Sequence, residues 1–208
     1  WRRCSRSRPP WARCSASRPS PWPYWAKNGS GVVLLGRGEA GKSTLACALW
    51  RQGWSLLCDD MSLIAMDRCV AKATPRRVSL RAPSRALLGE ELWARMLASP
   101  SCAPTLEGYA FHPYEVDGKP QLQETRLVAA IFLDRPGSGA IPTVARKLEP
   151  ARALLATLPY SNMARLYDFG EAIRRMRPFA ATIPVYDLGR GPLAHMMKSV
   201  ETVCEEAA

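Results

Sequence analysis

The stretch that decides the fold is Gly31-Val-Val-Leu-Leu-Gly-Arg-Gly-Glu-Ala-Gly-Lys-Ser-Thr44. It opens with an apolar run of the kind that forms a short buried strand. Residues 36–43 follow and match the pattern G-x-x-x-x-G-K-[ST] in full. Beyond them, the spacing of Leu45, Ala48 and Leu49 predicts a helix. A strand, a glycine-rich loop and a helix in this order are the context in which the pattern forms a phosphate-binding loop.

Each part of this loop has a role in binding a nucleotide. Glycines let backbone N–H groups approach phosphate oxygens, and a helix that begins near Lys42 directs its positive end at the same anion. Lys42 supplies a charge for the β- and γ-phosphates of ATP, and Ser43 supplies a hydroxyl to Mg²⁺. We therefore expect ATP and Mg²⁺ as ligands, with an ordinary glycine-rich turn as the alternative. The residues predicted to contact the nucleotide are Gly36, Arg37, Gly38, Glu39, Ala40, Gly41, Lys42, Ser43 and Thr44.

A pair of acids follows the next apolar run. Asp59 and Asp60 come directly after residues 54–58, 17 and 18 positions beyond Lys42. If this second strand lies beside the first, its carboxyl end falls close to the loop, where ligands of open α/β sheets bind. We expect one carboxylate to support Mg²⁺ and the other to accept a proton from an incoming hydroxyl. The alternative is a solvated turn or a helix cap.

The rest of the chain alternates between strand and helix patterns, which is typical of a layered α/β domain. We assign residues 28–208 to this domain. Turns are predicted at Asp67-Arg68 and Asp117-Gly118, each between two strands. The other predicted elements are helices over 85–98, 150–158 and 162–176, strands over 127–133 and 183–188, and a closing amphipathic helix from residue 193.

The first 27 residues differ from the rest in composition. They carry seven Lys and Arg residues, no acid and five prolines, whereas the remainder has 22 basic and 18 acidic groups. Proline removes a backbone donor and disfavours regular structure. We expect residues 1–27 to be a disordered or artefactual basic tail outside the fold. Because the excess charge lies in this tail, we expect no nucleic-acid partner for the domain; a tail that binds nucleic acid is the alternative.

Composition excludes several classes of protein. The chain is 47% hydrophobic and 23% charged, so it can bury a core. It has neither a run of 18 apolar residues nor a secretory apolar segment, so we expect no membrane partner. Its seven cysteines include no C-x-x-C pair. This pattern favours buried free thiols and a cytoplasmic protein over a zinc site or a disulfide framework.

The run VVLLGRGEAGKSTLACALWRQGWSLLCDDMSLI, residues 32–64, resembles the core of the HPr kinase/phosphorylase family. It is closer to the shorter HPr-kinase-like serine kinases, which lack that family's N-terminal domain. The matching features are the phosphate loop, a helix ending in Arg-x-Gly-Trp, and the short step to the Asp-Asp pair. Residues 183–188 and the closing helix resemble the end of such domains more weakly. The resemblance implies a compact phosphate-loop kinase domain, related to the ATP-dependent phosphoenolpyruvate carboxykinases, that transfers the ATP γ-phosphate to a serine hydroxyl.

The resemblance also implies individual roles. Lys42 and Ser43 would bind the triphosphate and Mg²⁺, Asp60 would accept the proton, and Asp59 would support the metal or its water. The resemblance thus implies Lys42, Asp59 and Asp60 as catalytic residues. It implies Ser43 and Asp59 as metal ligands. The acceptor would be a serine-bearing protein, peptide or small molecule, and a homo-oligomer is compatible with the sequence.

The chain departs from the family at two points. The family often has a histidine shortly before the loop, but the two histidines here are His112 and His195, both far downstream. Full-length members use a glutamate of a signature loop as a further Mg²⁺ ligand, and the corresponding residues 77–85 contain no acid. These departures favour the alternative of a nucleotide-binding protein without transfer activity, a sensor or a degenerate kinase. Arg81, in the same segment, either steadies phosphates or lies on a solvated strand edge.

Overall fold

The computed structural model describes residues 17–20, 24–27, 29–59, 62–65, 67–74, 76–118, 122–135 and 144–207. These residues form a mixed β-sheet with helices on both faces and a small second sheet beside it. The predicted α/β class is therefore confirmed. No helix among the described residues is long and apolar enough to cross a bilayer.

The elements are numbered in chain order. The strands are β1 (Ser17–Ser20), β2 (Tyr24–Lys27), β3 (Ser30–Leu35), β4 (Ser55–Cys58), β5 (Ser62–Ala65), β6 (Val70–Lys72), β7 (Val78–Arg81), β8 (Ala103–Pro104), β9 (Gly108–Phe111), β10 (Glu124–Leu133), β11 (Arg146–Lys147) and β12 (Val185–Leu188). The helices are α1 (Lys42–Arg51), α2 (Ser84–Leu88), α3 (Glu90–Leu97), α4 (Pro113–Asp117), α5 (Pro150–Thr157), α6 (Met163–Leu166), α7 (Phe169–Thr182) and α8 (Leu193–Ala207), with a 3₁₀ turn at Leu158–Tyr160.

Four strands of the main sheet, β3, β4, β10 and β12, run parallel to one another. The order of the sheet is β1-β5-β6-β10-β3-β2-β4, with β12 pairing along β10 and β11 along β12. Strand β10 is parallel to both β3 and β12, and β4 is parallel to β3 because both are antiparallel to β2. The carboxyl ends of β3, β4, β10 and β12 therefore share one edge of the sheet, which is where ligands bind in open α/β sheets.

The condition stated for the acid pair, that β4 lies beside β3 in the sheet, is not met. Strand β2 lies between them and pairs with both. The condition followed chain order, and a strand from the preceding segment occupies the expected neighbour position. Asp59 nevertheless reaches the 36–43 loop, since β3 and β4 run in the same direction.

Two helical layers cover the main sheet. Helices α5 and α7 pack on one face, and α1 and α8 pack on the other. Strand β10 serves both cores, because Phe132 lies in the first and Ile131 and Leu133 lie in the second. A strand buried on both faces reads as a continuous apolar run, which explains why residues 127–133 are all apolar.

The small sheet packs against the outer side of α1. Strand β9 pairs antiparallel with β7 and β8. A third core joins α1 to this sheet and to α2 and α3; it includes Cys47, Ala48, Trp50, Val78, Leu80, Leu88, Leu92, Trp93, Met96 and Phe111. Helix α1 is therefore held between two sheets, and β7 lies next to the loop that precedes it.

Part of the predicted tail belongs to the sheet, which corrects the expectation for β1 and β2. The tail was placed outside the fold on its prolines, yet an edge strand tolerates proline because one side of its backbone needs no ladder bonds. Strand β1, with Pro19, is such an edge, and β2 pairs with β3 through a turn in which Gly29 has a φ of 78°. Residues 1–16 and 21–23 lie outside the described residues, and the boundary at residue 28 stays a prediction.

Most other sequence predictions hold, with three corrections. The helix predicted over 162–176 is two helices, α6 and α7, which are separated at Tyr167 and Asp168. The hairpin at Asp67-Arg68, the strand over 127–133 and the closing helix are confirmed by β5–β6, β10 and α8. The helix over 85–98 is split into α2 and α3 at Gly89, whose φ is 86°. Asp117-Gly118 is no hairpin turn: it ends α4, with Gly118 in the left-handed conformation that stops helices.

Candidate functional site

The 36–43 loop joins β3 to α1 at the carboxyl edge of the sheet. Gly36 has a φ of 147°, and a Cβ there would lie 2.7 Å from the carbonyl oxygen of Leu133. Gly41 has a φ of 90° and immediately precedes α1, whose first intrahelical bond runs from the Leu45 amide to the Gly41 carbonyl. The first and last glycines of the pattern are therefore both required by the backbone path.

Lys42 folds back across the loop. Its ammonium donates hydrogen bonds to the carbonyl oxygens of Gly36, at 3.0 Å, and Arg37, at 2.8 Å. Both carbonyls belong to the first half of the loop, whereas Lys42 begins the helix. The positive charge is thus held over the loop, where a phosphate group would meet it together with the N-terminus of α1.

Asp59 joins the loop to the small sheet. Its carboxylate accepts a hydrogen bond from the Ser43 hydroxyl, at 3.2 Å, and another from the Ser79 backbone amide, at 3.0 Å. The residue is only 2% exposed, and a buried carboxylate needs such donors. The structure thus brings two predicted site residues together. Asp60 lies outside the described residues, so its proposed role as proton acceptor stays a prediction.

A second carboxylate, Asp134, lies at the same edge and was missed by the sequence analysis. It follows β10 directly, and its Oδ2 lies 3.3 Å from Arg37 Nη2 and 3.1 Å from Arg190 Nε. Arg190 also donates to the backbone carbonyl of Glu39 at 2.7 Å. One signal pointed to Asp134: like Asp59, it is the first acid after a buried strand.

Glu39, at the tip of the loop, pairs with the small sheet. Its carboxylate accepts a hydrogen bond from Arg81 of β7, and Arg81 also pairs with Glu107 at 2.7 Å. The hydrogen bond from Arg81 holds the pKa of Glu39 below its usual value. Arg81 therefore lies beside the 36–43 loop, half exposed and in contact with two carboxylates.

The remaining predicted residues differ in what they contact. Ala40 is buried in the core under α1. The Thr44 hydroxyl shares a 2.9 Å hydrogen bond with that of Ser84 in α2. Gly38 is exposed, with nothing within 4 Å of a Cβ placed on it. Ala40 and Thr44 thus anchor the loop to the cores, and contact with a nucleotide would come from their backbone amides.

The oxygen atoms of Ser43 and Asp59 suit a hard cation. Hydroxyl and carboxylate oxygens are ligands that Mg²⁺ accepts when phosphate oxygens and water complete its octahedron. No group of three or more His, Cys, Asp or Glu residues poised for a metal occurs in the described part of the chain. Ser43 and Asp59 could thus supply two oxygen ligands to a cation at this point.

Cys47, on helix α1, does not offer a nucleophile to the 36–43 loop. Cys47, Cys69 and Cys204 are buried and free, as predicted, and Cys102 is half-buried and free. Burial, with a smaller effect of the nearby Asp59 charge, raises the pKa of Cys47 far above its usual value. Cys47 therefore stays protonated at neutral pH and acts as an apolar side chain of α1.

Comparisons with known proteins find similar folds among solved structures. The solved structure of the Hpr(Ser) kinase/phosphatase from Coxiella burnetii is similar to this chain, with a TM-score of 0.47 and 14% sequence identity. The match covers 91% of this chain and 95% of that chain. No family model matches the chain, and no curated protein does.

Proposed function

We propose that the protein is an ATP- and Mg²⁺-dependent kinase that transfers the γ-phosphate to a serine hydroxyl of a protein, peptide or small molecule. One observation carries the proposal. Lys42 is folded over the carbonyls of the 36–43 loop while Ser43, the next residue, is hydrogen-bonded to the buried carboxylate of Asp59. A cation, a hydroxyl and an acid thus meet at the start of one helix, which is the set of groups that phosphoryl transfer requires.

Binding of the triphosphate rests on the loop backbone and Lys42. Gly36 and Gly41 both have a positive φ, and the Lys42 ammonium contacts carbonyl oxygens of the loop. We infer that phosphate oxygens accept hydrogen bonds from loop amides and take the place of the carbonyl oxygens that Lys42 now contacts. The N-terminal end of α1 adds a favourable dipole.

Ser43 and Asp59 would hold Mg²⁺. When bound, the ion neutralises phosphate charge and aligns the triphosphate. The residues themselves supply the hydroxyl and carboxylate oxygens, and the Ser79 amide keeps the Asp59 side chain oriented.

Asp60 is proposed as the general base. As the serine oxygen bonds to the γ-phosphorus, the bond between that phosphorus and the oxygen bridging it to the β-phosphate breaks. The hydroxyl proton passes to the Asp60 carboxylate, and ADP leaves with the bridging oxygen. Asp59, the neighbour of Asp60, is fixed by two hydrogen bonds. This favours a division of roles in which Asp59 supports the metal and Asp60 accepts the proton.

A nucleotide-binding protein without transfer activity is the second candidate. Strand β7, which lies against Asp59, contributes the Ser79 amide and the Arg81 guanidinium to this region. Residues 77–85, which include it, contain no carboxylate that could add a Mg²⁺ ligand. A site of this composition could bind a nucleotide and respond to it without catalysis.

Release of labelled γ-phosphate from MgATP, to water and to a library of serine-containing peptides, distinguishes the two candidates. Asp60→Asn should bind MgATP like the wild type and slow transfer by about 10²-fold or more, because general-base catalysis contributes that much. Asp67→Asn, an exposed aspartate of the β5–β6 hairpin, is the matched control and should be fully active. Wild-type binding without any release would favour the second candidate, and an unaffected Asp60→Asn rate would refute the base assignment.

A further inference from the structure

The Asp134 carboxylate holds two guanidinium groups at the mouth of the 36–43 loop. Its Oδ2 is 3.3 Å from Arg37 Nη2 and 3.1 Å from Arg190 Nε. Arg37 belongs to the loop itself, and Arg190 follows β12, the strand on the other side of β10. Two positive side chains from distant parts of the chain thus converge on one acid beside the proposed phosphate site.

These ion pairs are easily exchanged. The side chains of Arg37 and Arg190 are 61% and 55% exposed, and exposed ion pairs contribute little to stability. A polyphosphate offers several charged oxygens in a geometry that guanidinium groups bind at two points. Phosphate oxygens are therefore stronger partners for both arginines than a single carboxylate.

The backbone keeps Asp134 in place, whereas both arginine side chains are more than half exposed. The Asp134 amide donates to the Leu188 carbonyl at 3.0 Å, and its φ of 51° is a left-handed value uncommon outside glycine, asparagine and aspartate. Arg190 has a second contact, from Nη2 to the Glu39 carbonyl at 2.7 Å. Arg190 can therefore leave the carboxylate and remain on the loop.

We propose that Asp134 is a counter-ion that competes with nucleotide phosphates for Arg37 and Arg190, and that Arg190 binds the polyphosphate directly. The proposal rests on the proposed function, since it assumes that the loop binds a nucleotide. It assigns these arginines a role in selecting nucleoside di- and triphosphates over monophosphates.

The test compares the affinities of variants for MgATP and for AMP by calorimetry. Arg190→Ala should weaken MgATP binding about tenfold, the value of a charge-assisted hydrogen bond, and change AMP binding little. Asp134→Asn should strengthen MgATP binding roughly threefold, because a charge that competes for both arginines is removed. Asparagine tolerates the left-handed backbone at this position. Arg37→Gln is a second variant, in which the Asp134 residue itself is unchanged. Arg174→Ala, an exposed arginine of α7 paired with Glu171, is the control and should bind like the wild type.

The sign of the Asp134→Asn effect separates competition from a structural or metal-binding role. If Asp134 only supported the loop or held Mg²⁺, its loss would weaken MgATP binding, as loss of Arg190 does. That result, or wild-type affinity in both Arg190→Ala and Arg37→Gln, would overturn this inference while leaving the proposed function intact, provided the wild type binds and Lys42→Ala does not. A wild-type protein that binds no MgATP would instead overturn both.

Discussion

Two buried aspartates follow or end parallel strands at the same edge of the sheet, and their partners differ. Asp187, in β12, is fully buried and pairs with Arg135 at two points, Nε to Oδ1 at 2.6 Å and Nη2 to Oδ2 at 2.7 Å. Asp59, after β4, is 2% exposed and accepts hydrogen bonds from the Ser43 hydroxyl and the Ser79 amide. The first carboxylate faces a matched guanidinium, and the second faces a loop hydroxyl and a strand amide.

The difference shows how one edge of a sheet serves two purposes. The two-point contact of Asp187 raises the pKa of Arg135 and joins the end of β10 to β12. Asp59 instead connects the end of β4 to the start of α1, through Ser43, and to β7, through Ser79. The orientation of its carboxylate therefore depends on where the 36–43 loop lies. Burial alone therefore does not identify a functional acid, whereas the chemistry of its donors and their place in the chain do.

The largest effect is expected at Asp187. Asp187→Asn should lower the free energy of unfolding by about 3–5 kcal/mol, because it removes the charge that pairs at two points with the largely buried Arg135 guanidinium. Chemical denaturation measures this change, and Asp67→Asn is the exposed control, expected to be within 0.5 kcal/mol or so of the wild type. A loss below about 1 kcal/mol would mean that the pair contributes little and would remove the contrast with Asp59.

The next effect is expected at the loop backbone. Gly36→Ala places a methyl group 2.7 Å from the Leu133 carbonyl oxygen at a left-handed φ, so it should cost about 1–3 kcal/mol and abolish tight MgATP binding. Gly170→Ala, in the first turn of α7 and away from the loop, is the control, since a Cβ there meets nothing closer than Asp168 Oδ1 at 3.5 Å. Denaturation and calorimetry on both variants test the pair, and equal nucleotide affinity in the two would show that the path of the loop through Gly36 does not matter for binding.

The smallest effect on stability is expected at Asp59. Asp59→Asn retains an oxygen that can accept from Ser43 or Ser79, so the free energy of unfolding should fall by only about 1 kcal/mol. The loss of charge should instead remove most of the dependence of ATP affinity on Mg²⁺, measured by titrating ATP with and without the metal. If Asp59→Asn destabilised the protein as much as Asp187→Asn and left the Mg²⁺ dependence unchanged, both aspartates would be structural.

The sequence predicts those features that depend on neighbours in the chain. The strand–loop–helix unit around residues 36–43 follows from local periodicity, as do β10 and α8. The order of strands in the sheet does not follow from local periodicity. Strand β2 lies between β3 and β4 although its segment is rich in proline. Only tertiary pairing decides which strand occupies that place.

The same limit applies to the site. The pattern 36–43 and the acid pair identify Lys42, Ser43 and Asp59 as neighbours of one loop, and Ser43 and Asp59 are indeed in contact. Arg37 and Asp134 are 97 positions apart, and Arg190 is 151 positions from Glu39. Such partners come together only through sheet topology, so no spacing in the sequence could indicate them.

Calorimetric titration of MgATP into the wild type and Lys42→Ala is the direct test of whether the 36–43 loop binds the phosphates of ATP. We expect one binding site in the wild type and a loss of affinity of about 10²-fold in Lys42→Ala, because that variant lacks the ammonium held over the loop. Lys198→Ala, an exposed lysine of α8, should bind like the wild type. Equal affinities in the wild type and Lys42→Ala would show that the loop does not bind the phosphates of ATP through Lys42.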